Sequence, residues 1–113
     1  MPSEQIEKAN LFSDIPSQLS QERVDTLLAT SALRLERIVS DGHATPPGEW
    51  YDQERDEWVV LLQGGAGLRF EGEDRVLVMQ PGDYVLIPAH RRHRVEWTEG
   101  AQKSIWLALH FRE

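Results

Sequence analysis

From Leu33 onward the chain alternates between short runs rich in β-branched and apolar residues and breaks made of Gly, Pro and Asp. That rhythm predicts strands near 33–40, 57–63, 66–71, 74–79, 83–87, 92–98 and 104–111. The breaks agree with it. Gly64-Gly65 separates two runs, Glu71-Gly72-Glu73-Asp74 reads as a hairpin tip, and Pro81-Gly82-Asp83 reads as a tight turn. A longer irregular stretch from Asp41 to Asp56 interrupts the series, and loops of that length in compact domains usually carry function. Many short strands with no helical periods between them predict an all-β, antiparallel sandwich or barrel.

Residues 1–32 differ. Ile6, Leu11, Phe12, Ile15 and Leu19 are scattered among polar residues, as in an arm. Asp14-Ile15-Pro16 reads as a turn. After Ser20, a residue type suited to a helix cap, Val24, Leu27 and Leu28 stand at helical spacing and predict a short helix over Gln21 to Ala29. The division expected is an arm with a short helix over 1–32 and a barrel over 33–113.

Composition narrows the function. With 113 residues, 40% hydrophobic and 27% charged, the chain fits one globular domain with one core. A net charge of -7 and a pI near 5.0 argue against nucleic acid, whose phosphates demand clustered Lys and Arg. The one basic cluster is Arg91, Arg92 and Arg94, expected to be solvated or paired with acids such as Glu96 and Glu99. No cysteine is present, so a metal would rest on nitrogen and oxygen ligands. No apolar stretch approaches the ~20 residues that span a bilayer, and Met1 to Gln5 shows no basic region leading into an apolar run. The expectation is a cytoplasmic protein with no membrane partner.

Two segments carry candidate chemistry. Strand alternation puts Glu57, Val59 and Leu61 on one face and Trp58, Val60 and Leu62 on the other, so Glu57 opens a strand that is apolar on both sides. A carboxylate there is costly unless it is paired, solvated at the strand mouth, or used. In the second segment Pro88 ends one strand, and the chain returns with His93, Val95 and Trp97 sharing a face. Imidazole is the commonest metal ligand, though a lone histidine on an apolar face is more often a core residue. Trp50, Tyr51 and Trp97 lie near these positions and could wall a small-ligand pocket, whereas Trp106 reads as barrel filling. His110, in phase with Trp106, could face the barrel mouth or solvent. His43 and His90 read as loop or rim histidines.

The spacing resembles the cupin superfamily. Its first motif runs His-x-His, three or four residues, Glu, six residues, Gly, and Glu57 with Gly64 matches its end. Its second runs Gly, five residues, Pro-x-Gly, two residues, His, three residues, Asn, and Gly82, Pro88 and His93 match it. Tyr51-Asp52-Gln53 before the glutamate and Pro88-Ala89-His90 before His93 are similar to small one-domain members. The resemblance covers about residues 33 to 111 and implies a jelly-roll β-barrel. The sequence departs from the motifs where the two histidines would stand: three residues before the glutamate gives Gln53 and Tyr51, and four gives Asp52 and Trp50. His90 replaces the glycine of Pro-x-Gly, and Trp97 the final asparagine.

Carried over by position, the resemblance implies a metal set of Gln53, Glu57 and His93, with Tyr51, for a divalent ion such as Zn, Fe, Mn or Ni. A glutamine carbonyl is a poor substitute for imidazole, so affinity for a late transition metal is expected to fall. Asp52 would enter the set if the loop shifted by one residue. The function implied is metal-dependent chemistry of dioxygenase, isomerase or lyase type on a small organic molecule, with no catalytic residue assigned. The alternatives are a non-catalytic small-molecule-binding module, with Tyr51, Gln53, Glu57 and His93 as hydrogen-bonding groups, and a structural protein. A homodimer is expected in each case.

Overall fold

The computed structural model describes residues 5–112. The first four residues of the expected arm, and Glu113 at the end of the expected barrel, lie outside them. Eight strands are formed: β1 (Arg23–Ala29), β2 (Leu33–Ser40), β3 (Asp56–Gln63), β4 (Ala66–Phe70), β5 (Leu77–Met79), β6 (Tyr84–Ile87), β7 (His93–Thr98) and β8 (Ser104–Phe111). A five-stranded sheet in the order β1-β2-β8-β3-β6 faces a three-stranded sheet in the order β5-β4-β7, and every pairing is antiparallel. This is the jelly-roll barrel expected. Among the described residues no helix is long and apolar enough to cross a membrane.

The core follows from strand alternation. Val59 and Leu61 of β3, Trp106 and Ala108 of β8, Ile87 of β6, Ala66 and Leu68 of β4 and Met79 of β5 meet between the sheets. The seven strands read from the sequence appear as β2 to β8, with β5 shortened to three residues because 74–76 still belong to the hairpin approach.

The helix expected over Gln21 to Ala29 is instead strand β1, paired with the edge of β2. The register jumps between Thr26 and Leu28, leaving Leu27 as an extra residue. A bulge breaks the period of two, so Val24, Leu27 and Leu28 mimic helical spacing although Val24 and Leu28 lie on opposite faces of a strand. A nine-residue isolated helix is marginal in water, whereas the open edge of β2 satisfies the same backbone groups. Residues 5–22 carry no regular structure and are tied down by Arg37 on the outer face of β2. Its guanidinium donates to the carbonyls of Leu11 (3.1 Å) and Ser13 (2.6 Å) and to Asp25 Oδ2 (2.6 Å). The Arg37 guanidinium holds the Asp25 carboxyl below its usual range.

A second bulge corrects the reading of Trp97. Gly67 pairs with Trp97 and Leu68 with Val95, so Glu96 is the extra residue. His93 and Val95 therefore face the interior, while Trp97 is turned to the outer surface. The loop 41–56 extends the smaller sheet at the same place. Thr45 N–H donates to the Val95 carbonyl (2.9 Å), and Tyr51 and His93 exchange two backbone hydrogen bonds (2.7 and 3.1 Å). The long loop is thus the rim of the barrel and fixes the backbone of His93.

Candidate functional site

The sheet registers place the polar residues of the site in one row. Arg34 lies opposite His110, His110 opposite Glu57, and Glu57 opposite Ile87, across β2, β8, β3 and β6. The next row inward is Glu36, Ala108 and Val59, and the one below it is Ile38, Trp106 and Leu61. The cavity is therefore apolar at its base and polar towards its mouth. Leu68, Val95, His93, Tyr51 and Gln53 form the opposite wall, and Glu22 and Val24 close the side. Its volume is about 180 Å³.

Glu57 and His93 meet inside it. Glu57 is 7% exposed and His93 5%. Imidazole Nδ1–H donates to the carbonyl of Arg91 (2.9 Å), which leaves Nε2 as a bare acceptor directed to the cavity. Nε2 stands 3.7 Å from Glu57 Oε1, too far for a hydrogen bond, and Oε1 is buried with no partner at all. Burial pushes the Glu57 carboxyl up from its ordinary 4.5 to about 7, with nearby Glu36 adding to the rise and Arg34 opposing it. Burial likewise pushes the His93 imidazolium down, against the support of the Arg91 carbonyl. Near neutral pH the pair is an acid that still holds much of its proton beside an uncharged imidazole.

A second histidine–carboxylate pair lines the same cavity. His110 Nε2 lies 3.0 Å from Glu36 Oε1, and Arg34 Nε lies 2.9 Å from Glu36 Oε2. Burial lowers the His110 pKa while the Glu36 charge opposes that shift. The sequence reading singled out neither Arg34 nor Glu36, and left His110 open between mouth and solvent. The signal was present: Arg34, Glu36 and Ile38 alternate with Leu33, Leu35 and Arg37 along one strand, so two polar residues share a face with an apolar one.

Gln53 and Tyr51 both line the cavity. Asp52 points away, exposed, with Oδ1 2.7 Å from His90 Nδ1. His90 occupies the glycine position of the second motif with φ of 63°, a left-handed conformation. Its N–H donates to the Gln53 carbonyl (2.7 Å), so rim strand and turn hold each other. His43 Nδ1 accepts from the Asp41 N–H (2.9 Å) and is a loop residue. Trp50 stacks under Arg69 and Arg94 outside the cavity. The basic cluster is paired as Arg91–Glu73, Arg92–Glu71 and Arg94–Glu96. Trp106, expected as barrel filling, is both core and cavity floor.

The resident metal implied by the resemblance meets a short donor set here. Histidine Nε2 and the orphaned carboxyl oxygen are suitable donors, and Gln53 adds a neutral carbonyl. Protein metal sites are ordinarily built from at least three such ligands. Among the described residues no three His, Cys, Asp or Glu side chains are grouped to hold an ion. The residues present therefore do not fit a firmly held metal.

Two antiparallel sheets closed into a jelly roll, with a His–Glu site at the open end, define the class of double-stranded β-helix barrels. The chain belongs to the cupin family: the family model for the cupin domain matches residues 38–110. Among solved structures, a protein from Ralstonia eutropha JMP134 described as a "putative mannose-6-phosphate isomerase" is 46% identical, with a TM-score of 0.91. That match covers 95% of this chain and 99% of the other. An RmlC-like cupin with a double-stranded β-helix fold from Methanocaldococcus jannaschii is 14% identical, covers 95% and 92% of the two chains, and has a TM-score of 0.68. The DMSP lyase of Ruegeria pomeroyi DSS-3 is 18% identical over 81% of this chain and 47% of its own, also at 0.68. These last two share the fold. No curated protein matches the chain.

Proposed function

We propose that the barrel cavity binds a small polar organic molecule and that Glu57 and His93 act on it as proton donor and proton acceptor, in the manner of an isomerase or lyase. The observation that carries this reading is the unpartnered, buried Glu57 Oε1 standing 3.7 Å from the bare Nε2 of His93. A buried polar atom without a partner is expensive unless a ligand supplies one. Acid and base with values brought near the working pH are what general acid–base catalysis needs. For an α-hydroxy carbonyl compound the balance is simple. His93 Nε2 takes the proton from carbon, the C–H pair becomes the C=C bond of an enediol, and the Glu57 carboxyl gives its proton to the carbonyl oxygen. The reverse steps at the neighbouring carbon return both protons. Tyr51 and Gln53 would orient the hydroxyls. The Ralstonia protein described as a "putative mannose-6-phosphate isomerase" supports this class of reaction, though not its phosphorylated substrate.

The test is deuterium exchange from D₂O into dihydroxyacetone, glyceraldehyde and D-mannose. Wild-type protein is expected to label at least one of them, and Glu57→Gln and His93→Gln to slow labelling by about 100-fold or more, the lower end of what a general acid or base contributes. Equal rates with all three proteins would overturn the reading. A divalent-metal function would rest on the same pair with Gln53. Uptake of one Zn, Fe, Mn or Ni per chain, lost in His93→Gln, would replace metal-free proton transfer with that alternative. The homodimer also stands as a proposal. It is supported by an apolar row on the outer face of the larger sheet, Leu28, Leu35, Leu109, Trp58 and Leu86, one residue from each strand. Light scattering reads it directly, and a mass of one chain would overturn it.

A further inference from the structure

We propose that the cavity accepts uncharged molecules bearing hydroxyl or carbonyl groups and excludes phosphate esters and other anions. The inference rests on the cavity being the small-molecule site. Three carboxyl groups line it, Glu22, Glu36 and Glu57, against one permanent cation, Arg34. That cation is committed through one nitrogen, with Arg34 Nε 2.9 Å from Glu36 Oε2, and its side chain is 44% exposed to water. Glu36 is in turn shared with His110, so the three residues form a closed, self-neutralising chain. Glu22 accepts from the Ser40 hydroxyl.

What remains free inside is neutral or acidic: the buried Glu57 Oε1, the bare Nε2 of His93 and the side chain of Gln53. Of the two buried histidines, His93 spends its Nδ1–H on the Arg91 carbonyl and His110 turns its Nε2 to Glu36, so neither directs a free N–H at an anionic ligand. An ester dianion entering this site would lose its water and meet only Arg34, whose charge Glu36 already offsets, a penalty that a buried dianion does not recover from one shared cation. Phosphate sites are instead built from free Arg or Lys, or from exposed N–H groups. The net charge of -7 adds repulsion on approach. Size points the same way. About 180 Å³ is below the ~300–1,000 Å³ of pockets for drug-sized ligands, so the occupant is a small molecule with little room for a hydrated phosphate.

The experiment titrates matched pairs against the full chain by ligand-observed NMR: dihydroxyacetone with dihydroxyacetone phosphate, glycerol with glycerol 3-phosphate, and D-mannose with D-mannose 6-phosphate. At least one uncharged member is expected to bind, with its phosphorylated partner at least tenfold weaker. Glu36→Gln, which frees the Arg34 guanidinium, is expected to raise affinity for the phosphorylated member tenfold or more. Glu22→Gln removes one carboxylate without touching the Arg34 chain, and is expected to raise it less. A phosphorylated member binding wild type as tightly as its partner would overturn the inference and leave the cavity reading standing. Binding of no member would overturn the cavity reading and the inference together. Failure of both variants to admit any phosphate ester would overturn the charge argument.

Discussion

Replacing Glu57 with glutamine is expected to stabilise the protein by about 3 kcal/mol at pH 8 and to change its stability little at pH 4. The folded state raises this carboxyl from 4.5 to about 7 because burial penalises the charged form. A raised acid pKa means that the folded chain holds a proton the unfolded chain has already released. The stability tied to that proton is full below about pH 4.5 and is lost progressively as pH rises through about 7. The span of roughly 2.5 units, at ~1.36 kcal/mol per unit, gives the figure of about 3 kcal/mol. Glutamine matches the shape and does not titrate. His93 and His110 act in the opposite sense: their lowered values contribute stability that is lost as pH falls below the ordinary histidine range. Both histidines are kept in the variant, so the difference between the two proteins isolates Glu57. Urea unfolding from pH 4 to pH 8 measures it, and a difference that stays flat would show that the carboxyl ionises freely in the fold. The same substitution is expected to slow proton transfer, so stability and activity would move in opposite directions, as expected where a site retains a strained group.

Gly64→Ala is expected to cost about 2–6 kcal/mol. Gly64 links β3 to β4 with φ of 89°, a conformation in which a side chain costs ~1–3 kcal/mol. A Cβ there would also stand 2.7 Å from the Cα of Ser104 and clash with the Ser104 side chain, and overpacking adds ~1–3 kcal/mol. The close approach exists because Ser104 Oγ closes the β-turn from the neighbouring strand, accepting from Gly65 N–H (3.2 Å) and donating to the Gly65 carbonyl (3.0 Å). Urea midpoints should fall with the slope unchanged. Ser104→Gly in the same chain should not rescue the loss, since the obstacle includes backbone. Full rescue would place the whole cost in the serine hydroxyl. The glycine of the first motif is thus required at this position because two chain segments touch there and no side chain fits between them.

Seven of the eight strands were legible because most are set off by Gly, Pro or Asp and each keeps its alternation long enough to read. Glu57 and His93 were legible for a related reason: each interrupts an apolar face, and an interruption at the start of a buried strand implies burial of a polar group. Strand β1 was misread because Leu27 is a bulge residue and shifts Leu28 out of phase with Val24. Trp97 was misplaced for the same reason, since Glu96 is the extra residue of β7. A bulge is decided by the partner strand, and no local pattern announces it.

The sequence by itself indicated an antiparallel β-barrel, seven of its strands in chain order, and Glu57 and His93 as polar interruptions of apolar faces. These depend on local alternation and turn chemistry, which are properties of neighbours in the chain. Only the tertiary structure decided that Arg34, Glu36 and His110 complete the cavity, and that Gln53 faces it while Asp52 turns away to His90. Those outcomes depend on which residues of distant strands share a register, and registers are set by bulges and packing across the sheet.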